Sequence, residues 1–175
     1  MQVAAKVPLS QRINLRMLAF IGVLATLVGY PVSVLIEMQL NGGIKTVAGG
    51  YKLVDLKAMS SFDFDQINGT PQDIPQKWRD LDGQKVILYG EMWNSSSTGG
   101  AVDSVVLCYS VMNCCIQGPP LVQHFVDARA MPGKSLETYP GQVQVKGVLH
   151  VDVQREEGRV SNIYRLDVES IEPAA

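Results

Sequence analysis

The stretch QVQVKGVLHVDVQ, residues Gln142–Gln154, is the part of the sequence that decides the fold. Apolar side chains stand at most of its odd-numbered positions, and its even-numbered positions are mostly polar. Successive side chains of a β-strand point to opposite faces, so this alternation turns one face to a core and the other to water. The stretch therefore predicts a long strand whose core face consists of Val143, Val145, Leu149, Val151 and Val153.

Other segments of the chain show the same strand-like patterning. They are short, rich in β-branched and aromatic residues, and bounded by glycine, proline or polar clusters, as strands usually are. The predicted strands besides the first are Lys85–Trp93, Val102–Tyr109, Leu121–Ala128 and one that contains Tyr164–Glu169.

Two glycines interrupt predicted strands in a similar way. Gly90 lies inside the strand Lys85–Trp93 and Gly147 inside Gln142–Gln154, and each indicates a bulge or a sharp coil. A polar loop at Asn94–Gly100 follows the first of these strands. Five strands without a convincing long helix predict a mainly β domain over residues 83–175, of the five-stranded OB-like barrel type. A small β-sandwich is the alternative, because alternation alone does not order strands.

The preceding segment, residues 37–82, is expected to be a juxtamembrane and mostly irregular lead-in. Ser61–Asp65 alternates like a short strand, and Pro75–Leu81 has the composition of one helical turn that begins with proline. We expect three aromatic side chains of this segment to close one end of the core, namely Phe62, Phe64 and Trp78.

Three cysteines, Cys108, Cys114 and Cys115, offer the only compact chemistry in the sequence. Two thiols near His124 suit a soft metal such as zinc or copper, or a thiol–disulfide cycle. A zinc site, however, usually has four ligands at chelating spacings, and the redox motif Cys-x-x-Cys is absent. A disulfide from Cys108 to Cys114 or Cys115, or thiols buried as small apolar groups, is therefore preferred over the metal site Cys114, Cys115 and His124.

This cysteine segment resembles a family of functionally uncharacterised bacterial membrane-anchored extracytoplasmic domains that share the pattern Cys-Cys-x-x-Gly-x-Pro before a strand with a histidine. The resemblance covers about the last hundred residues of the chain. It implies an OB-like barrel and supplies no catalytic role. The matching positions are Cys114, Cys115, Gly118, Pro120 and His124, with further likeness at Leu81-Asp82-Gly83 and in the strand around Gly147.

Far upstream of the strands lies a run of twenty residues without a charge, Met17–Ile36. In helical form such a run covers the roughly 30 Å of bilayer hydrocarbon. Basic residues precede it and Glu37 follows it, so the positive-inside rule places residues 1–16 in the cytoplasm. The sequence thus predicts a single-pass protein of the inner, cytoplasmic membrane with a periplasmic C-terminal domain.

Small residues recur along one face of this predicted helix. Small side chains let two membrane helices approach closely, and close packing is what drives their association in lipid. We therefore expect this face to pack against other integral-membrane subunits, through Ala19, Gly22, Thr26, Gly29 and Ser33.

Composition narrows the classes of function. The chain has a net charge of -2 and a pI of about 5.6, which argues against nucleic acid as a partner. No polybasic stripe for anionic lipid is apparent along the sequence after the anchor. Phosphate-binding loops, a Gly-x-Ser-x-Gly elbow and a His-Glu-x-x-His motif are all missing, so we expect no enzyme.

Together these features favour a non-catalytic accessory subunit, bound to the lipid bilayer and to other subunits of a larger integral-membrane complex of the photosynthetic reaction centre or respiratory type. One alternative is an extracytoplasmic module that handles metal or thiols through Cys114, Cys115 and His124. Another is an OB-type ligand-binding module that uses the loop Asn94–Gly100.

Overall fold

The computed structural model describes residues 19–27, 29, 42–93, 101–116 and 120–174, without the side chains of Cys115 and Ile116. The chain divides into two compact units, Met1–Asn41 and Gly42–Ala175. We call the second the β unit. The predicted loop Asn94–Gly100 lies outside the described residues.

In the first unit, residues 19–27 form a helix, α1, and every residue of it is exposed. Among the described residues, no helix combines the length and the apolar character that crossing a bilayer requires. The predicted span Met17–Ile36 extends beyond the described residues at both of its ends.

The β unit is mainly β, as predicted. Two short helices, α2 (Leu56–Ser60) and α3 (Gln76–Arg79), lie between its early strands. Its described strands are β1 Ile44–Thr46, β2 Lys52–Val54, β3 Gln84–Trp93, β4 Ala101–Val102, β5 Ser104–Cys108, β6 Phe125–Ala130, β7 Leu136–Glu137, β8 Gln142–Glu156 and β9 Arg159–Pro173.

Seven of these strands form one large sheet in the order β1-β2-β3-β5-β6-β9-β8. Neighbours run antiparallel except for the pairs β2–β3 and β6–β9, which are parallel. The first eight residues of β3 also pair with β8, and its last three pair with β5. As a result, β3 lies next to both β5 and β8, and β4 pairs separately with β7.

Both predicted glycine interruptions lie where two backbones come close. A Cβ atom at Gly147 would lie 2.2 Å from the carbonyl oxygen of Asp167, and the β8–β9 register shifts between Lys146 and Gly147. A Cβ atom at Gly90 would lie 2.6 Å from the carbonyl oxygen of Cys108. Any larger residue would push the strands apart at these two positions.

The alternation predicted for β8 is confirmed in its first half, whereas Val151 and Val153 are only half-buried at the edge of the core. Val143, Val145 and Leu149 are fully buried, and the even-numbered positions between them are half-buried. They share one core with side chains from other strands and from the α2 and α3 helices, among them Val86, Leu88, Leu107, Val126, Leu166, Met59 and Trp78.

The lead-in differs from its prediction. From Gly42 onward it belongs to the β unit and contributes β1, β2, α2 and α3 to it, so the expected boundary at residue 83 is not a boundary between compact units. Trp78 and Phe64 are buried, and Phe62 packs edge-on against Phe64. Together they contribute to the core as expected.

Two predicted strands have other conformations in part. Ser61–Asp65 is not a strand, and it leads into a turn in which the Asp65 carboxylate accepts the backbone N–H groups of Ile67 and Asn68. Leu121–Ala128 begins instead with a 3-10 turn at Val122–His124, and β6 starts only at Phe125.

Candidate functional site

The cysteine segment lies between the end of β5 and the start of β6. Cys108 is the last residue of β5 and is fully buried, with its Sγ 3.6 Å from the carbonyl oxygen of Glu91. Cys114 is also buried and lies in a single π-helical turn, Met112–Ile116. Such turns often accompany functional sites. The side chain of Cys115 and the residue Gly118 lie outside the described part of the chain.

His124 ends the 3-10 turn before β6 and lies next to this segment. Its ring stands edge-on to the ring of Tyr109, with 6.4 Å between the centroids. Burial lowers the pKa of His124, and a hydrogen bond to the backbone of Cys114 acts in the opposite direction with a smaller effect. The structure thus brings His124 to Cys114 through the main chain and favours the neutral imidazole.

Metal binding at this place remains a prediction. No group of three or more His, Cys, Asp or Glu side chains that could hold a metal ion occurs among the described residues. The predicted set Cys114, Cys115 and His124 includes a side chain outside them, as does the disulfide alternative that involves Cys115.

A buried polar network fastens the His124 turn to the lead-in. The Gln123 side chain is 2% exposed, accepts a hydrogen bond from Gln66 Nε2 at 3.0 Å and donates one to the carbonyl oxygen of Phe62 at 3.1 Å. Gln66 Oε1 in turn accepts the N–H of Val122. Sequence reasoning did not find Gln123, because its partners lie about sixty positions earlier in the chain and a glutamine in a strand-like pattern reads as exposed.

A polar cavity of about 360 Å³ opens beside the β8–β9 pair. A histidine between two carboxylates lies at this place: His150 Nε2 is 3.0 Å from Asp167 Oδ2, and its Nδ1 is 3.9 Å from Asp82 Oδ1. Asp82 also accepts the N–H of Val151 at 2.9 Å. The lining residues are Asp82, His150, Val151, Asp152, Gln154, Asn162 and Arg165.

The geometry of β8 and β9 accounts for this cavity. His150 lies opposite Arg165 in the β8–β9 register, which then shifts between Val151 and Gln154. Such irregularities bend a strand and redirect its side chains. Carboxylates, amides and a guanidinium in one lining suit a hydrophilic ligand. The sequence offered no signal for this arrangement, because Asp82 precedes His150 by 68 positions and only folding unites them.

The predicted helix-packing residues lie in or next to α1, except Ser33, which lies outside the described residues. Ala19, Gly22, Thr26 and Gly29 are exposed, and a Cβ atom added at either glycine would meet none of the described residues within 4 Å. The Thr26 hydroxyl donates to the helix's own backbone, with 2.9 Å to the Val23 carbonyl oxygen. It therefore needs no partner from water.

No protein-family model and no curated protein matches the chain. Among solved structures, the chain is similar to the crystal structure of a DUF3299 family protein from Pseudomonas aeruginosa PAO1. The two are 20% identical, the likeness covers 69% of this chain and 79% of that chain, and the TM-score is 0.44. DUF3299 is an uncharacterised family.

Proposed function

We propose that the protein is a single-pass, non-catalytic accessory subunit of a larger integral-membrane complex, of the photosynthetic reaction centre or respiratory type. In this proposal Met17–Ile36 spans the inner membrane, residues 1–16 are cytoplasmic and the β unit is periplasmic.

The observation that carries the proposal is the exposure of α1. Burying one large apolar side chain contributes about 1.5–3 kcal/mol, so leaving five of them in water forgoes on the order of 10 kcal/mol. Lipid or a partner helix would bury these side chains. The large apolar side chains of α1, each at least half exposed, are Phe20, Ile21, Val23, Leu24 and Leu27.

The small residues of α1 support a protein partner in addition to lipid. Gly22 and Gly29 leave open space on the helix surface, and Thr26 satisfies its hydroxyl internally. A second helix can therefore approach the backbone closely without burying an unsatisfied polar group.

For the β unit we propose an OB-like barrel. The pairings β3–β5, β5–β6, β6–β9, β9–β8 and β8–β3 support it, because they return the sheet to the strand from which it starts. Full closure removes the exposed edges of these five strands. The close approaches at Gly90 and Gly147 help the strands to bend around such a ring.

Carbonate extraction of membranes from expressing cells tests the anchor. The wild-type chain is expected in the pellet, and the double variant Leu24→Glu/Leu27→Glu in the supernatant, because each charge in the apolar run costs about 2.5–3.5 kcal/mol at the membrane centre. Ile67→Glu is the matched control: Ile67 is as exposed as Leu24 but belongs to the β unit. The control is expected to remain in the pellet.

External protease on spheroplasts then reports the orientation. The β unit is expected to be digested from outside, and a tag before Met1 is expected to survive. Extraction of the wild-type chain by carbonate, or protection of the β unit in intact spheroplasts, would contradict the proposed topology.

The polar cavity beside β8 and β9 favours a second candidate, an OB-type module that binds a small hydrophilic ligand. Its carboxylates, amides and Arg165 can exchange hydrogen bonds with hydroxyl or amino groups. We propose a thermal-shift screen with monosaccharides and amino acids on the wild type and on Asp152→Asn. A stabilising compound whose effect weakens in the variant supports this candidate, and uniformly absent shifts contradict it.

A further inference from the structure

Three exposed lysines lie on the three elements that adjoin Gly42 and Gly43, where the chain enters the β unit. Lys45 lies in β1, Lys57 in α2 and Lys77 in α3. We call these three residues the basic face. Their positions in the sequence are far apart, so they form no polybasic stripe there, and only the fold collects them.

Contacts of Gly42 and Gly43 join these three elements. The Lys77 ammonium donates to the carbonyl oxygen of Gly42 at 3.0 Å and lies 4.3 Å above the ring of Trp78. Gly43 packs on α2, where an added Cβ atom would lie 2.9 Å from that of Ala58, the neighbour of Lys57 in sequence. Lys45 follows Gly43 by two positions.

The charges of the basic face are not neutralised within the described part of the chain. None of its three lysines forms an ion pair there. The nearby Asp55 carboxylate accepts the N–H groups of Lys57 and Ala58 as the N-cap of α2 and keeps its negative charge, so three lysines face one carboxylate and the basic face has a net positive charge.

The β unit as a whole has the opposite sign. Three of the fifteen basic residues and one of the seventeen acidic residues precede Gly42, which leaves twelve against sixteen and a net charge of -4. An anionic surface would repel such a unit except at a local concentration of positive charge. The basic face is such a place.

We infer that the basic face binds the anionic phospholipid headgroups of the membrane in which the chain is anchored. The inference rests on the proposed function, because the tether makes it possible. Five residues separate Ile36 from Gly42, and a chain of this length spans at most about 20 Å. The position next to the basic face therefore stays near the headgroups, within reach of flexible lysine side chains.

Energy transfer from Trp78 to a dansyl-labelled headgroup lipid tests the inference, because Trp78 adjoins Lys77. The full chain with Trp93→Phe keeps Trp78 as its only tryptophan, since the sequence has two. It is reconstituted into phosphatidylcholine vesicles with and without phosphatidylglycerol. Transfer efficiency is measured as donor emission with and without the dansyl lipid, which cancels any direct effect of a lysine change on Trp78 emission.

We expect a transfer efficiency about twice as high in the anionic vesicles, lost at high salt because screening weakens attraction between exposed charges. The variant Lys45→Gln/Lys57→Gln/Lys77→Gln should lose the difference between the two vesicle types. The matched control Lys134→Gln/Lys146→Gln/Arg159→Gln removes the same charge from other parts of the β unit and should keep it.

Equal transfer in both vesicle types, with the chain still resistant to carbonate, overturns the inference and leaves the proposed anchor intact; the lysines would then be available to an acidic protein partner. An equal loss in the control variant also overturns it, because net charge would then be sufficient. Extraction of the wild-type chain by carbonate overturns both the inference and the proposed function.

Discussion

Most large apolar side chains of the β unit are buried, whereas those of α1 are exposed. In the β unit, large side chains such as Trp78, Leu149 and Tyr164 have 1% or less of their surface exposed. In α1, Phe20 and Leu27 have 68% and 70% of theirs exposed. The β unit buries most of its large apolar side chains in its own core, whereas the described part of the chain leaves those of α1 exposed.

The same contrast holds for their glycines. Gly90 and Gly147 lie where neighbouring backbones leave no room for a Cβ atom, whereas Gly22 and Gly29 have open space around them. Gly90 and Gly147 are therefore required by the packing of the strands, whereas Gly22 and Gly29 are required only if a partner helix approaches them. Substitutions in the two regions should have separable effects.

The largest expected effect comes from Gly147→Ala. Its Cβ atom would meet the backbone of Asp167 at 2.2 Å, and backbone atoms cannot move aside as a flexible side chain can. We expect the free energy of unfolding of the β unit to fall by at least about 3 kcal/mol, measured by urea denaturation in mild detergent.

Gly22→Ala is the matched substitution in α1 and should leave the unfolding of the β unit unchanged, because no residue in the described part of the chain lies within 4 Å of its new methyl group. Equal effects of the two substitutions would break the contrast between the regions.

A medium effect is expected from Gln123→Ala. The change leaves the half-buried carbonyl oxygen of Phe62 without its donor, while Gln66 Nε2 keeps its hydrogen bond to the carbonyl oxygen of Phe64, so we expect a loss of about 1 kcal/mol in the same denaturation experiment. Thr26→Ala is the counterpart in α1, where the lost hydroxyl bonds only to its own helix and is exposed. A change in β-unit stability of more than about 0.5 kcal/mol in Thr26→Ala would contradict the account.

The smallest expected effect concerns pH. Burial lowers the pKa of His124 from 6.5 in the folded state, so below pH 6.5 the unfolded chain binds a proton that the folded chain does not. The free energy of unfolding should therefore decrease as the pH is lowered from 6.5 toward the pKa of His124 in the folded state. Below that pKa, His124 should cause no further change.

His124→Gln should lose less stability than the wild type between pH 7.5 and about 5.5. His150→Gln changes the only other histidine of the sequence and should keep the pH dependence of the free energy of unfolding that His124 causes. Parallel pH profiles for the wild type and His124→Gln would show that the ring has no such role.

Local patterning predicted the strands well where one face is buried. In β8 the alternation of Val143, Val145 and Leu149 with polar residues reports directly on the core. The alternation at Ser61–Asp65 predicted a strand that is not present. Hydrogen bonds from a side chain to the backbone, such as that of Asp65 with the N–H of Ile67, compete with strand formation and are not visible in a hydrophobic pattern. Local patterning also left α2 and the packing of the lead-in unforeseen, since these depend on partners far along the chain.

The candidate sites were predictable to a smaller extent. Cys114 and His124 are close in the sequence, and in the structure His124 contacts the backbone of Cys114. The cavity beside His150 and the basic face of Lys45, Lys57 and Lys77 arise from residues separated by tens of positions. Spacing along one chain carries no signal for such groupings.

Native electrophoresis after gentle solubilisation tests the central claim most directly. We predict that the wild-type chain migrates with a large pigmented or haem-containing complex. Gly22→Leu/Gly29→Leu should migrate as a small species, because the added bulk lies on the face where we propose that a partner helix packs. A wild-type chain that migrates alone, or a double variant that remains in the complex, would contradict the account.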